Sequence, residues 1–455
     1  MADIASPAVA GTRPFWSSRT TFVLAAAGAA VGLGNVWKFP YIAGEYGGGA
    51  FVLVYVLFIV TIGLPVLLAE LLIGRRVHAS PVTAVADLVR QAGASPRWRL
   101  MGYWPAVLGP IILSFYSVIG GWTLAYLWRV LTATGPVDTQ AQFARFLADP
   151  LEMLGWHSLF ILATVLVVQG GLRRGIERAT NLAMPTLLTV LVALLVHTAA
   201  TSPSFAEGAA FLLKPDFGAL TLEGVMAALG HAFFTLSVGL GVMLAYATYL
   251  PADVSLPKAA VAVAGLDTAV AIGAGLIIFP IVFASGLEPG AGPGLIFVTL
   301  PEAFAALPGG RLLAAVFFLL LFFAALTSAI AGLEPAVQCL EDATGAGRPA
   351  LTAGVSVVIW ALGIVTVLSF NVWADATWMG RTPFDWIDFI AANVALPLGG
   401  LMFCLFAGHM LSRRIQAEEL AGLPAWALVL WRMLVRYVAP LGIVIVLSLK
   451  LIGAG

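Results

Sequence analysis

Residues 28–35 read GAAVGLGN and residues 233–241 read FFTLSVGLG, and each stretch lies inside an apolar run long enough to be a membrane crossing. The tetrapeptide VGLG stands at 31–34 and again at 238–241, five crossings apart. Glycines in mid-membrane have two readings. They let neighbouring helices pack closely, or they let the chain leave helical geometry so that a ligand reaches the backbone. With 48 glycines in the chain, a repeated glycine pair does not separate the two. Asn35 beside the first stretch and Thr235 and Ser237 in the second tip the balance, because they bring side-chain oxygens to the flexible backbone. An unwound turn offers N–H groups to a carboxylate and carbonyls to a cation. Interrupted helices at matching places in two halves mark transporters built from inverted repeats, with the binding site between the breaks.

Composition supports this setting. Of 455 residues, 61% are hydrophobic and 10% charged, with a mean hydropathy of +0.99. A soluble domain carries about 25% charged residues. The apolar runs are continuous, as helices crossing a core of about 30 Å require, rather than alternating as in a barrel strand. The equal numbers of basic and acidic residues, 23 of each, give no case for nucleic acid. Cys339 and Cys404 lie in apolar runs, in neither a disulfide nor a metal-ligand pattern. The run behind Arg13 and Arg19 extends to about Ile42, too long for a signal core, so it reads as a retained first helix.

The sequence predicts an all-α polytopic membrane protein of one domain, 1–455, with eleven crossings near 17–42, 49–74, 101–131, 155–171, 177–199, 223–249, 258–284, 311–339, 351–369, 385–410 and 431–452. Polar loops are expected at Thr132–Pro150 and Ser202–Leu220, and a short apolar stretch after the Gly/Pro-rich Glu288–Gly294 is expected to dip back into the bundle surface. Lys and Arg accumulate in cytoplasmic loops. With the N-terminus inside, Arg13, Arg19, Arg75, Arg76, Arg90, Arg97, Arg99, Arg173, Arg174, Arg178, Lys258, Arg348, Arg413, Arg414, Arg432 and Arg436 fall on that side, leaving Lys38, Arg129, Arg145, Lys214, Arg311, Arg381 and Lys450 outside. This predicts a multi-pass protein of the cell's inner (plasma) membrane, with the N-terminus cytoplasmic and the C-terminus outside.

Asp267, in VAVAGLDTAVAIG, is the acidic residue that needs explaining. An unpaired carboxylate at that depth costs at least ~2.5–3.5 kcal/mol. Either it is protonated or paired for packing, or it belongs to an ion or proton pathway. Intramembrane ionisable groups default to the second.

These strings together carry a resemblance. RPFWSSR (Arg13–Arg19), GAAVGLGNVWKFPYIAGEYGGGAF (Gly28–Phe51), HAFFTLSVGLG (His231–Gly241), FFAALTSAIAGLEP (Phe322–Pro335) and LED (Leu340–Asp342) are similar to the neurotransmitter:sodium symporter family, its bacterial amino-acid transporters most of all. The likeness runs through nearly the whole chain. It implies a five-plus-five inverted-repeat transporter fold with broken helices 1 and 6. The first repeat would cover about 17–199, the second about 223–410, and an extra helix 431–452. It also implies sodium symport of a neutral amino acid by alternating access, with two sodium ions.

By matching motif positions, the resemblance places one sodium at Ala30, Asn35, Thr235 and Asp267, completed by the substrate carboxylate. It places the other at Gly28, Val31, Ala324, Thr327 and Ser328. All of these offer oxygen, which a hard cation requires; Thr327 and Ser328 could equally bond back to their own helix. The substrate pocket would be Ala29, Ala30, Leu33, Gly34, Ile112, Tyr116, Phe234, Thr235, Ser237, Leu240, Ser328 and Gly332, with Tyr116 binding the carboxylate and covering the site together with Phe234. Leu240 and Gly332 stand where a leucine-selective relative has larger side chains, which implies a larger hydrophobic or aromatic substrate. Some bacterial relatives carry a glutamate at the position of Ala271. Asp267 would then supply the fixed negative charge of a chloride-independent transporter.

Gates follow in the same way: Lys38 with Asp388 outside, and Arg13 with Asp342 inside, flanked by Trp16 and Tyr249. Gly175 and Pro185 keep a spacing at which relatives unwind helix five. No HExxH, GxSxG or GxGD motif suggests an enzyme, and of the five histidines only His231 reads as mid-membrane. Two rivals stay open at this point: a proton-coupled permease using Asp267 or Glu334, and a sodium-coupled transporter of an amine or osmolyte. The sequence does not give the oligomeric state.

Overall fold

The computed structural model describes residues 14–133, 135, 138–286, 294–305 and 309–452. Among the described residues nine helices are long and apolar enough to cross a membrane: Gly49–Arg75, Pro96–Thr132, Pro150–Val168, Leu172–Thr201, Leu256–Ala284, Gly310–Thr344, Arg348–Ser369, Pro383–Met410 and Ala425–Lys450. A bent pair, Arg19–Ala30 with Gly34–Glu45, precedes them and makes a tenth. The broken pair Leu222–Thr235 and Val242–Ala247 lies between the fifth and seventh crossings. Counting that second pair as the sixth span, by its place in the chain, gives eleven among the described residues, with breaks in the first and sixth as the sequence indicates.

Local chemistry sets the starts. Ser18 accepts from the Thr21 amide at the head of the first span, and Thr221 accepts from the Gly224 amide at the head of the sixth. Each offsets one of the amides that a helix start leaves without a partner. The fourth span begins at Pro150, several residues earlier than the apolar run suggests. Asp149 caps it by accepting from the amides of Leu151 and Glu152, and a proline in the first turn needs no donor. His157 is therefore buried within that span, as His231 is within the sixth. Both polar loops also carry a helix, Thr139–Ala148 and Phe205–Leu213. The apolar stretch expected to dip into the bundle surface forms the helix Leu295–Ala305.

The breaks have different geometries. In the first span the chain goes extended at Val31 (φ −68°, ψ 99°), and the second half is bent by 50° from the first. In the sixth span residues 236–241 turn without forming a helix, with φ of +52° at Ser237 and +83° at Gly239 and Gly241. Left-handed backbone suits glycine and costs other residues about 1–2 kcal/mol.

The first, third, sixth and eighth spans form the centre. The third span's apolar window is 78% buried and the eleventh's only 17%, so the last crossing packs on the periphery and faces lipid. Glycines let the central helices touch: a Cβ on Gly109 would sit 2.5 Å from the Gly332 carbonyl oxygen of the eighth span, and one on Gly121 would meet the fourth span's backbone at 2.8 Å.

Gly241→Ala should lower the thermal stability of the detergent-purified protein by about 1–2 kcal/mol, from left-handed strain alone, with a further loss because Pro105 occupies the space a methyl group needs. Melting indistinguishable from the parent would show that the sixth helix is not broken as described.

Candidate functional site

The two breaks face each other across the carboxylate of Asp267, which projects from the seventh span. Asn35, in the turn after the first break, accepts from the Gly32 amide at 2.9 Å. Its Nδ2 donates to Asp267 at the backbone oxygen (3.0 Å) and at Oδ1 (2.7 Å). The Thr235 hydroxyl, at the end of the first half of the sixth span, lies 3.0 Å from both carboxylate oxygens. From the second span, Tyr55 reaches Oδ2 at 3.4 Å. Asp267 and Asn35 are 0% exposed and Thr235 1%. One acid thus gathers donors from the first, second and sixth spans. A buried carboxylate is tolerable when its lone pairs are taken up in this way.

A second group of oxygens lies where the first half of helix one ends. Ser328 Oγ donates to the carbonyls of Gly28 (3.3 Å) and Val31 (3.4 Å). Thr327 Oγ1 bonds back to Phe323 and Ala324 of its own helix at 3.0 and 3.2 Å, the helix-internal alternative that mid-helix hydroxyls offer. A Cβ on Gly28 would stand 3.1 Å from both Met184 Sδ and Thr327 Cβ, so the fifth span closes this group from the side. Residues 175–185 of that span are wound throughout, which differs from the unwinding that the Gly175–Pro185 spacing implies by resemblance. Helix-forming side chains and the Thr180 hydroxyl bonded to the Ile176 carbonyl (2.8 Å) accompany the wound form.

Between the two oxygen groups is a cavity. Of the residues expected to line it, Ala30, Gly34, Ile112, Tyr116, Phe234, Ser237, Leu240, Ser328 and Gly332 do so. Ala29 contributes a carbonyl to Ser237 Oγ at 2.9 Å instead. Leu33 gives its amide to the Tyr116 oxygen at 3.2 Å and faces a neighbouring cavity, and Thr235 is turned toward Asp267. The sequence reading missed Gly32, Gly109, Leu113 and Leu396, which complete the wall. Gly109 and Leu113 were findable, since they share the helix face of Ile112 and Tyr116 at spacings of three to four residues. Leu396, from the tenth span, had no such signal. A side chain at Gly32 would displace both neighbours, because a Cβ there would lie 2.6 Å from Ser328 Oγ and 2.8 Å from the Tyr116 oxygen.

Glu70 was also missed, although its setting in LLAELL carried the same cue as Asp267. It is 0% exposed, and its Oε1 accepts from the Gly239 amide at 2.6 Å while Trp104 Nε1 donates to the Gly239 carbonyl at 3.0 Å. Both backbone polar groups of Gly239, in the sixth-span break, are therefore held by side chains.

Tyr116 and Phe234 line this cavity and also a second one of about 240 Å³ that includes Leu33, Trp37, Lys38 and Asp388. They are the partition between the two. Lys38 Nζ stands 3.8 Å from Asp388 Oδ2 and 4.7 Å above the Phe234 ring. At the other end of the first span, Trp16 is 2% exposed, donates from its amide to the Tyr249 carbonyl (3.0 Å), and donates from Nε1 to the Tyr246 carbonyl (2.9 Å). Tyr249 in turn donates to Glu334 Oε1 at 2.8 Å. Glu334, 0% exposed, is ion-paired with Arg348, which also meets Glu341 at 2.9 Å. Asp342 Oδ2 accepts from the Ser80 amide at 3.0 Å. Its expected partner Arg13 lies outside the described residues.

The sequence matches a model of the sodium:neurotransmitter symporter family over residues 13–144 and 149–454. It is 40% identical over 447 residues to an uncharacterized sodium-dependent transporter of Bacillus subtilis, covering 96% of this chain and 97% of that one. A sodium-dependent transporter of Haemophilus influenzae, likewise uncharacterized, is 34% identical, with 95% and 97% covered. The crystal structure of MhsT in complex with L-phenylalanine matches with a TM-score of 0.88 at 43% identity, over 95% of this chain and 99% of that one.

Arg348→Gln leaves the Glu334 carboxylate buried beside Tyr249 without its cation. This should destabilise the protein by about 3–5 kcal/mol, and the double variant Glu334→Gln/Arg348→Gln should regain most of it. Thermal melts of the parent, the two single variants Arg348→Gln and Glu334→Gln, and the double variant measure this. Two single losses that simply add in the double variant would rule out a coupled pair.

Proposed function

This chain belongs to the sodium:neurotransmitter symporter family, and from that premise we propose that it takes up a neutral hydrophobic or aromatic amino acid with two sodium ions and without chloride. Members of the family are transporters, not enzymes, and this multi-pass chain couples its transport to sodium. The observation that carries the finer reading is Asp267, buried and bonded to Asn35 and Thr235 where the two broken helices meet. In this reading the first sodium takes oxygens from Ala30, Asn35, Thr235, Asp267 and the substrate carboxylate. The second takes the carbonyls of Gly28, Val31 and Ala324 with the hydroxyls of Thr327 and Ser328. Asp267 provides a fixed negative charge beside the first ion, which removes the need for a bound anion.

The substrate's head group would lie against the first-span break near Tyr116, and its side chain would point to the wall of Ile112, Leu113, Leu240 and Leu396. That wall carries no charge, so a polar side chain entering it would lose its water without replacement. Leu240 and Gly332, the positions at which the resemblance implies smaller side chains, both line it. The L-phenylalanine in the MhsT complex fits the same class. Alternating access would proceed between the repeats, about 17–199 and 223–410. Lys38 and Asp388 would then act as the outer gate and the Trp16–Tyr249–Glu334 group as the inner one, with the N-terminus cytoplasmic and the C-terminus outside.

Purified protein in liposomes should accumulate radiolabelled L-phenylalanine when sodium is outside and potassium inside, and not when potassium replaces sodium. Exchanging chloride for gluconate should leave the rate unchanged. Uptake that stops in gluconate would overturn the fixed-charge role of Asp267, and uptake driven by a pH gradient without sodium would favour a proton-coupled permease. Leu240→Phe should weaken competition by tryptophan at least about tenfold more than competition by alanine, the equivalent of ~1.4 kcal/mol. The reverse order would refute the pocket assignment.

A further inference from the structure

A separate cavity of about 500 Å³ lies among the end of the third span, the helix Thr139–Ala148, the helix Leu300–Ala305 and the start of the eighth span. That is the size of a small-molecule pocket, and it shares no residue with the cavity at the broken helices. Its polar lining consists of Tyr126, Arg129, Thr139, Gln142 and Arg311, with Phe304 on an apolar side, and no acidic side chain lines it among the described residues.

Both guanidinium groups are anchored from behind. Arg129 Nη2 is held by Glu152 Oε1 at 2.7 Å, and its Cζ lies 4.6 Å above the Phe146 ring. Its Nη1, although buried, has no hydrogen-bond partner among the described residues, and neither does the hydroxyl of Tyr126 one turn earlier. Arg311 donates from Nε to the Val130 carbonyl at 2.9 Å and from Nη2 to the Leu131 carbonyl. These are two of the carbonyls that a helix end leaves open. Arg129, already paired with Glu152, and the exposed Arg311 therefore line one cavity together with an unused buried N–H and two hydroxyls. A buried donor without an acceptor is costly and rare, and charge-assisted bonds from oriented guanidinium forks recognise carboxylate and phosphate.

We propose that this cavity is a second ligand site that binds an oxyanion, a phosphate or carboxylate group, supplied either by a free small anion or by the headgroup of an acidic phospholipid. Occupancy would tie two loop helices to the ends of the third and eighth spans, so binding is read as added stability. The readout needs no transport and is independent of the symport reading.

The test is thermal unfolding of the purified full chain in neutral detergent, at constant sodium and ionic strength. One arm titrates inorganic phosphate against chloride. The other adds phosphatidylglycerol against phosphatidylcholine. A saturable rise of roughly 2–5 °C is expected in at least one arm. Arg311→Gln should shift its half-saturation to at least about tenfold higher ligand, and Gln142→Ala, which leaves both cations in place, should shift it less. A rise with phosphate assigns a free anion, and a rise with phosphatidylglycerol alone assigns the headgroup. No rise in either arm, a rise without saturation, or a rise equal in parent and Arg311→Gln would overturn the site, since general salting effects do not depend on that side chain.

Discussion

The structure turns on a carboxylate that has no water. Asp267 sits at full burial in a membrane helix, and its neighbours satisfy it with Asn35, Thr235 and Tyr55. The same three contacts tie the seventh span to the first, second and sixth. Because the lipid core supplies no hydrogen bonds, each turn that leaves helical geometry must find its partners inside the protein. The first break finds them in the Asn35 side chain and Tyr116. The second finds them in Glu70, which accepts from the Gly239 amide, and Trp104, which donates to the Gly239 carbonyl. The breaks are thus fixed features of the packing, and the oxygens they expose are aimed toward a common centre.

The two ends of the cavity are closed by different means. On the Lys38 side a pair at 3.8 Å, partly open to water, lies above an aromatic partition of Tyr116 and Phe234. Exposed pairs of this kind are worth about 0–1 kcal/mol. A lysine there is a point charge without the two-pronged geometry of arginine. On the Trp16 side the closure is buried. Trp16, with its indole N–H and its backbone N–H both satisfied, packs against Tyr246 and Tyr249, and Glu334, Arg348 and Gln338 form a connected set behind it. Under the proposed alternating access, opening that end would separate a desolvated pair and re-solvate a buried acid, a larger step than parting Lys38 from Asp388.

Much of this was legible before the structure. Period, length and composition gave eleven crossings, because an uninterrupted apolar run in a chain so poor in charge has few other uses. The breaks were legible because glycine and short polar residues coincide at 28–35 and 233–241, and Asp267 because a lone acid in an apolar helix is costly. What escaped follows from how each signal is carried. Glu70 offered the same cue as Asp267 but lay in a run read only for its length. Leu396 reaches the cavity through the tertiary placement of the tenth span, which no local pattern encodes. The helices Thr139–Ala148 and Phe205–Leu213 were hidden in polar segments because each buries only one narrow face. The fifth span is wound where spacing alone implied a break, since a glycine and a proline permit unwinding without requiring it.

The connection between the two oxygen groups runs through a single turn of backbone. Ser328 bonds the carbonyls of Gly28 and Val31, while Asn35 fixes Gly32 and Asp267, so both groups draw on the one stretch of the first span from 28 to 35. The cavity wall is made from the same turn, through Ala30, Gly32 and Gly34. A ligand that orders this turn lowers the cost of ordering it for any other ligand that uses it, and by linkage the favour is returned in equal measure. In the proposed reading, coupling between ions and a small solute therefore needs no long pathway. It follows from placing three demands on one short, non-helical piece of chain whose geometry is held by Asp267.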